Sequence, residues 1–129
     1  MRKLGKSGRA AVTAAVLAAV SLVVAVSAFG SPAQQQKTVV AVTAGKPTEF
    51  RFTLSKRTVV KGVTVFTVTN RGAVRHDFKI AGKKTLQIAP GKSRVLTVTF
   101  TKIGKYQYLC TLPGHAPAGM KGVLTVKAP

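Results

Sequence analysis

The chain has 129 residues, of which 21 are Lys or Arg and only two are acids, Glu49 and Asp77, so its formal net charge is +19. Two acids and two histidines are too few for the acid–base machinery of a hydrolase, and a single cysteine excludes an internal disulfide framework. A field this positive favours anionic partners and rejects cationic ones.

The chain begins with a basic leader, Arg2, Lys3, Lys6 and Arg9, followed by an uncharged apolar run from Ala10 to Phe29, which is the layout of a secretory signal. At about 20 residues the run is also long enough to span a bilayer. Residues 1–30 are therefore expected to be a cleaved signal peptide or an N-terminal membrane anchor, with the leader cytoplasmic in the second case. Both readings export the remainder to the periplasm or the extracellular space. Residues 31–36 read as a polar linker and 37–129 as one domain with one small core, too short to carry a catalytic domain beside it. Four of the cations belong to the leader, which leaves 17 against two acids. Nucleic acid is not expected as a partner, because the cations are dispersed over strands and turns and no aromatic platform is interleaved with them.

Beyond the linker the pattern has period two. Phe50-Arg51-Phe52-Thr53-Leu54-Ser55 alternates apolar and polar residues, as a strand with one buried face does. Further runs with strong β propensity are Thr38 to Thr43, Val63 to Thr69, Asp77 to Ile80, Thr85 to Ile88, Arg94 to Thr101, Tyr106 to Cys110 and Val123 to Lys127. Gly45-Lys46-Pro47, Asn70-Arg71-Gly72, Ala81-Gly82, Pro90-Gly91-Lys92 and Ile103-Gly104-Lys105 supply turn chemistry between them. About eight short strands and no sustained helical period imply an all-β sandwich or barrel, with Phe50, Phe52, Leu54, Phe66, Val68, Leu96, Val98, Phe100, Leu124 and Val126 as its core. Tyr106 and Tyr108 share strand parity with Cys110 and are expected to be interior supports. Gly72, Gly114 and Gly119 are expected to be turn residues.

Met1 apart, the only His, Cys and Met residues are His76, Cys110, His115 and Met120. An exported domain this small ordinarily uses its cysteines in pairs, so the lone Cys110 is an inert core thiol, an intermolecular partner or a metal ligand. Thiolate and thioether suit copper in both its oxidation states, and two imidazoles with one thiolate and a long axial thioether make the blue-copper arrangement. Cys110 ends a strand, Thr111 to Gly114 reverses the chain to His115, and Met120 stands just before the last strand. Three candidate ligands thus share one strand-loop-strand connection, and His76 has to arrive from a distant segment.

The segments Asn70-x-Gly72-x-x-x-His76-Asp77-Phe78 and Gly104-x-Tyr106-x-Tyr108-x-Cys110-x-x-Pro113-Gly114-His115-x-x-x-Gly119-Met120-x-Gly122-x-Leu124-x-Val126 resemble the cupredoxin family, of plastocyanin- and azurin-like type. The resemblance covers roughly Lys37 to Lys127. It implies an eight-stranded Greek-key β-sandwich holding one copper ion, Cu(I) or Cu(II), through His76, Cys110, His115 and Met120. The function it implies is that of a one-electron carrier rather than an enzyme. The chain departs from the family in lacking azurin's disulfide and in carrying Asp77 where many members have Asn, a side chain that ties the two ligand segments together. Storage or trafficking of exported copper is the alternative use of such a site, and an adhesion or scaffold domain without metal is a third. Redox proteins with acidic docking surfaces are the expected partners, steered by Arg71, Arg75 and Lys121 towards the apolar surroundings of His115, and a monomer is expected.

Overall fold

The computed structural model describes Gly30 and residues 36–129; the expected signal or anchor segment, Gly30 apart, and nearly all of the expected linker lie outside the described residues. Nine strands follow in chain order: β1 Thr38–Ala44, β2 Phe52–Leu54, β3 Thr58–Val60, β4 Gly62–Asn70, β5 Lys79–Ile80, β6 Lys83–Lys84, β7 Ser93–Phe100, β8 Gly104–Leu109 and β9 Lys121–Lys127. They build two sheets, one ordered β2-β1-β4-β7 and the other β3-β9-β8-β5-β6. β1 runs parallel to β4, and β3 runs parallel to β9, so the chain crosses between sheets instead of meandering within one. This is the all-β sandwich expected of the pattern.

The inward residues of both sheets are those the alternation marks. In β7, Leu96, Val98 and Phe100 are buried between exposed Thr and Val positions, and in β9 Leu124 and Val126 face inward. An aromatic cluster joins the layers. Phe78 packs against Phe52, Phe66 and Tyr108 with ring centroids 5.2, 5.3 and 5.6 Å apart, and Phe66 meets Phe100 at 6.4 Å. Each such buried ring contributes on the order of 2–3 kcal/mol through removal of apolar surface from water. Phe78 follows His76 by two residues and Tyr108 precedes Cys110 by two, so the best-packed part of the core underlies both candidate ligand segments.

Two expectations need correction, and one strand was not expected. Phe50 is 36% exposed and not in the core, because the chain from Gly45 to Phe50 is a turn and β2 begins only at Phe52. Thr85 to Ile88 is not a strand: Ile88 forms one isolated bridge with His76, and the short hairpin partner of β5 is β6. β3, whose single inward residue is Val59, carries too short an alternation to stand out in the sequence.

Candidate metal centre

Strand register places the candidate ligands. β8 and β9 pair antiparallel with Tyr108 opposite Gly122 and Leu109 opposite Lys121, so one further step sets Cys110 opposite Met120. The Cys110 amide indeed donates to the Met120 carbonyl at 3.0 Å. β5 pairs β8 with Lys79 opposite Leu109, and the same continuation sets Phe78 opposite Cys110 and Asp77 opposite Thr111. His76 is thereby brought beside a strand 34 residues away in the sequence.

Between Cys110 and Met120 the backbone is knit to itself. The amides of His115, Ala118, Gly119 and Met120 donate to the carbonyls of Leu112, Gly114, Ala116 and His115 at 3.2, 3.1, 2.9 and 3.0 Å. Gly114 and Gly119 take φ of +80° and +115°, a region that a side chain would make costly, so both are turn residues as expected. His76 is fixed from its other side by Ile88, with which it exchanges backbone hydrogen bonds of 3.2 and 2.7 Å. The fully buried Asn70 locks the approach: its Nδ2 donates to the Val74 and Ile88 carbonyls at 2.7 and 2.8 Å, and its Oδ1 accepts the Gly72 amide at 2.8 Å.

The result is a convergence of donors. One ligand atom each from His76, Cys110 and His115 lies within 4.8 Å of the others. His76 Nδ1 and His115 Nδ1 are 3.2 Å apart, and His115 Nδ1 is 3.5 Å from Cys110 Sγ. First-row metals bind imidazole nitrogen at about 2 Å and thiolate sulfur at about 2.3 Å, so donors on one ion stand about 3–4 Å apart. The observed separations fit a shared metal. Met120 is fully buried and tied to both Cys110 and His115 through its backbone. His76 and Cys110 are equally buried, whereas His115 is half-buried.

Around these four the structure places both acids of the chain. Asp77 accepts the Thr111 amide at 2.6 Å and the Thr111 hydroxyl, while its own amide points at Cys110 Sγ, 3.4 Å away. This is the tie between the two ligand segments, built by a carboxylate that only accepts. Glu49 reaches the far side of His76, with Oε1 2.7 Å from Nε2. No motif or spacing in the sequence marks Glu49 as a site residue; the available signal is its rarity, one of two acids among 21 cations. Gly72 lies in the turn after β4 as expected, but its φ is ordinary, and what requires glycine there is that a Cβ would overlap the Glu49 carboxylate. Phe50 is the other residue missed, its ring packing edge-on against His115 with centroids 4.9 Å apart.

Burial dominates the electrostatics of Cys110 and His115. Burial pushes the Cys110 thiol above its usual value, although the amides of Asp77 and Leu112 pull the other way. Burial also holds His115 below the ordinary imidazole value, and neighbouring His76 adds to this. The Glu49 carboxyl is held below its ordinary value chiefly by the Ala73 amide, with burial opposing and the Val74 amide and His76 adding. A metal held here is bound by the thiolate and by unprotonated imidazole nitrogens, so its binding is linked to proton release.

A family model described as a cupredoxin-like domain matches residues 14–126. The copper-resistant cuproprotein CopI of Pseudomonas aeruginosa is 52% identical over 40 residues, which cover 31% of this chain and only 22% of that protein's length. CopI of Rubrivivax gelatinosus is 29% identical over 120 residues, covering 76% of this chain and 71% of that protein. Among solved structures, auracyanin B superposes with a TM-score of 0.60 at 22% identity, over 75% of this chain and 93% of the other.

Proposed function

The chain belongs to the cupredoxin-like domain family, and on that premise we propose that residues 37–129 are a mononuclear type 1 copper domain that carries single electrons outside the cytoplasm. The observation that carries this reading is the convergence of two imidazole Nδ1 atoms and one thiol sulfur within 4.8 Å, with the buried Met120 in register beside the thiol. His76, Cys110, His115 and Met120 would hold the ion, and bound copper would supply a Cu(I)/Cu(II) couple.

The chain's own residues provide the rest. Strand ends and a loop closed by its own hydrogen bonds hold the donors in place, so exchange of one electron needs little rearrangement. Of the four, only His115 approaches the surface, and a redox partner comes nearest at its imidazole edge. Pro113, Pro117 and Ala118, exposed and close to His115 in the chain, offer apolar groups to a partner, and exposed Arg71, Arg75 and Lys121, near His76 and Met120 in the chain, would steer an acidic one. The four donors are all the His, Cys and Met residues after Met1, which leaves none for a second copper centre and supports a carrier over an oxidase. The apolar run behind the basic leader supports export, by cleavage or by anchoring.

The test is optical. Purified protein given Cu(II) develops an intense thiolate-to-copper absorption in the visible, and Cys110→Ser loses it entirely; a colourless wild-type protein refutes the copper reading. Two relatives bear the name copper-resistant cuproprotein, which favours a second use of the same site, the holding or trafficking of copper. Fast, reversible exchange with an added redox protein supports the carrier, and slow exchange with ready transfer of copper to a chelator supports trafficking.

A further inference from the structure

Glu49 stands behind a candidate ligand and has no part in the copper reading so far. His76 turns Nδ1 towards His115 and Cys110 and Nε2 towards Glu49 Oε1, 2.7 Å away. The same carboxylate accepts the Ala73 amide at 3.1 and 2.8 Å and the Val74 amide at 3.2 Å. It is thus gripped between the loop that joins β1 to β2 and the turn leading into His76. Gly72 makes the room: a Cβ there would come within 2.9 Å of Glu49 Cδ and 3.0 Å of His76 Nε2. In a chain so rich in Lys and Arg, a carboxylate would ordinarily meet a cation, yet among the described residues the ion-pair partner of Glu49 is this imidazole.

We propose that Glu49 is a positioning residue of the copper centre, which sets the tautomer of His76 and biases the site towards Cu(II). The inference rests on the copper reading above. An N–H held at Nε2 by the carboxylate leaves the lone pair on Nδ1, the nitrogen that faces the other donors. A carboxylate bonded to the far side of a ligating imidazole raises the basicity of the ligand. Its full negative charge, only partly exposed to water, also favours the more highly charged metal state. The imidazole proton stays on Nε2 throughout; the couple is Cu(II) plus one electron giving Cu(I), with the electron drawn from an external redox mediator.

The test compares wild type, Glu49→Gln and Glu49→Asp for Cu(II) and Cu(I) affinity and for midpoint potential, with the thiolate-to-copper band recorded in each. Glu49→Gln keeps the shape without the charge, and it should weaken Cu(II) relative to Cu(I) by about tenfold or more. That is a midpoint higher by about 59 mV for one electron. Glu49→Asp keeps the charge and should fall between the two. A coloured Glu49→Gln protein with an unchanged or lower midpoint overturns the proposal. If Glu49→Gln fails to retain copper, a coloured Glu49→Asp protein with a near wild-type midpoint supports it, and an Asp variant that also fails overturns it. A colourless wild type removes the copper reading and this inference together, whereas a coloured wild type with an indifferent Glu49 removes only the inference.

Discussion

Asp77 shows how a single side chain shapes the centre. It is almost fully buried, it accepts two hydrogen bonds from Thr111, and the nearest cation, Lys84, stays 3.9 Å away on an exposed side chain. A carboxylate in that place favours Cu(II), so Asp77→Asn should raise the midpoint measured by voltammetry, on the order of 59 mV for a tenfold change in preference. An unchanged or lower value counts against the charge argument. Asp77 was legible in the sequence because it directly follows a candidate ligand. Glu49 was not, since it lies 27 positions before His76 and only the packing of two loops brings them together.

At the scale of elements, the end of β4 does more than close a strand. Asn70 binds the Val74 and Ile88 carbonyls and the Gly72 amide from a fully buried position. Asn70→Ala removes the partner of the Val74 carbonyl and of the Gly72 amide, at about 1–3 kcal/mol for each group orphaned, while the Ile88 carbonyl keeps the His76 amide. Urea denaturation of the apo protein should show a loss of that order, and the variant should bind Cu(II) more weakly because the turn from Gly72 to Val74 that leads into His76 is no longer tied down. A loss below half a kcal/mol would mean that Asn70 does not lock the approach. The strands themselves were largely legible: β4, β7, β8 and β9 fall within a few residues of the expected runs. Phe50 was misplaced because alternation does not tell a strand from the turn before it. The β propensity around Ile88 points to a strand, whereas its pairing is a single bridge.

For the whole molecule, the distribution of charge matters more than its sum. Both acids are at the metal end, and Arg71, Arg75 and Lys121, which lie within five residues of His76 or Met120 in the chain, are exposed. Exposed charges act through water, where screening sets in over about 10 Å at 0.1 M salt. The second-order rate of electron exchange with an acidic redox protein should therefore fall as ionic strength rises, in stopped-flow measurements from about 0.01 to 0.5 M salt. A flat dependence would exclude steering.

The sequence by itself determined the class of fold and the four candidate donors. Period-two alternation is a local property of neighbouring residues, and soft ligands are scarce enough here to name themselves. It also determined that Cys110, His115 and Met120 share one loop, because their spacing is short. Only the tertiary structure decided that His76 joins them, that Asp77 ties the two segments, and that Glu49 and Phe50 rest against the two imidazoles. Those contacts depend on the register of β5 against β8 and on loops packed across the sandwich, and strand pairing over 30 residues leaves no periodic trace in the chain.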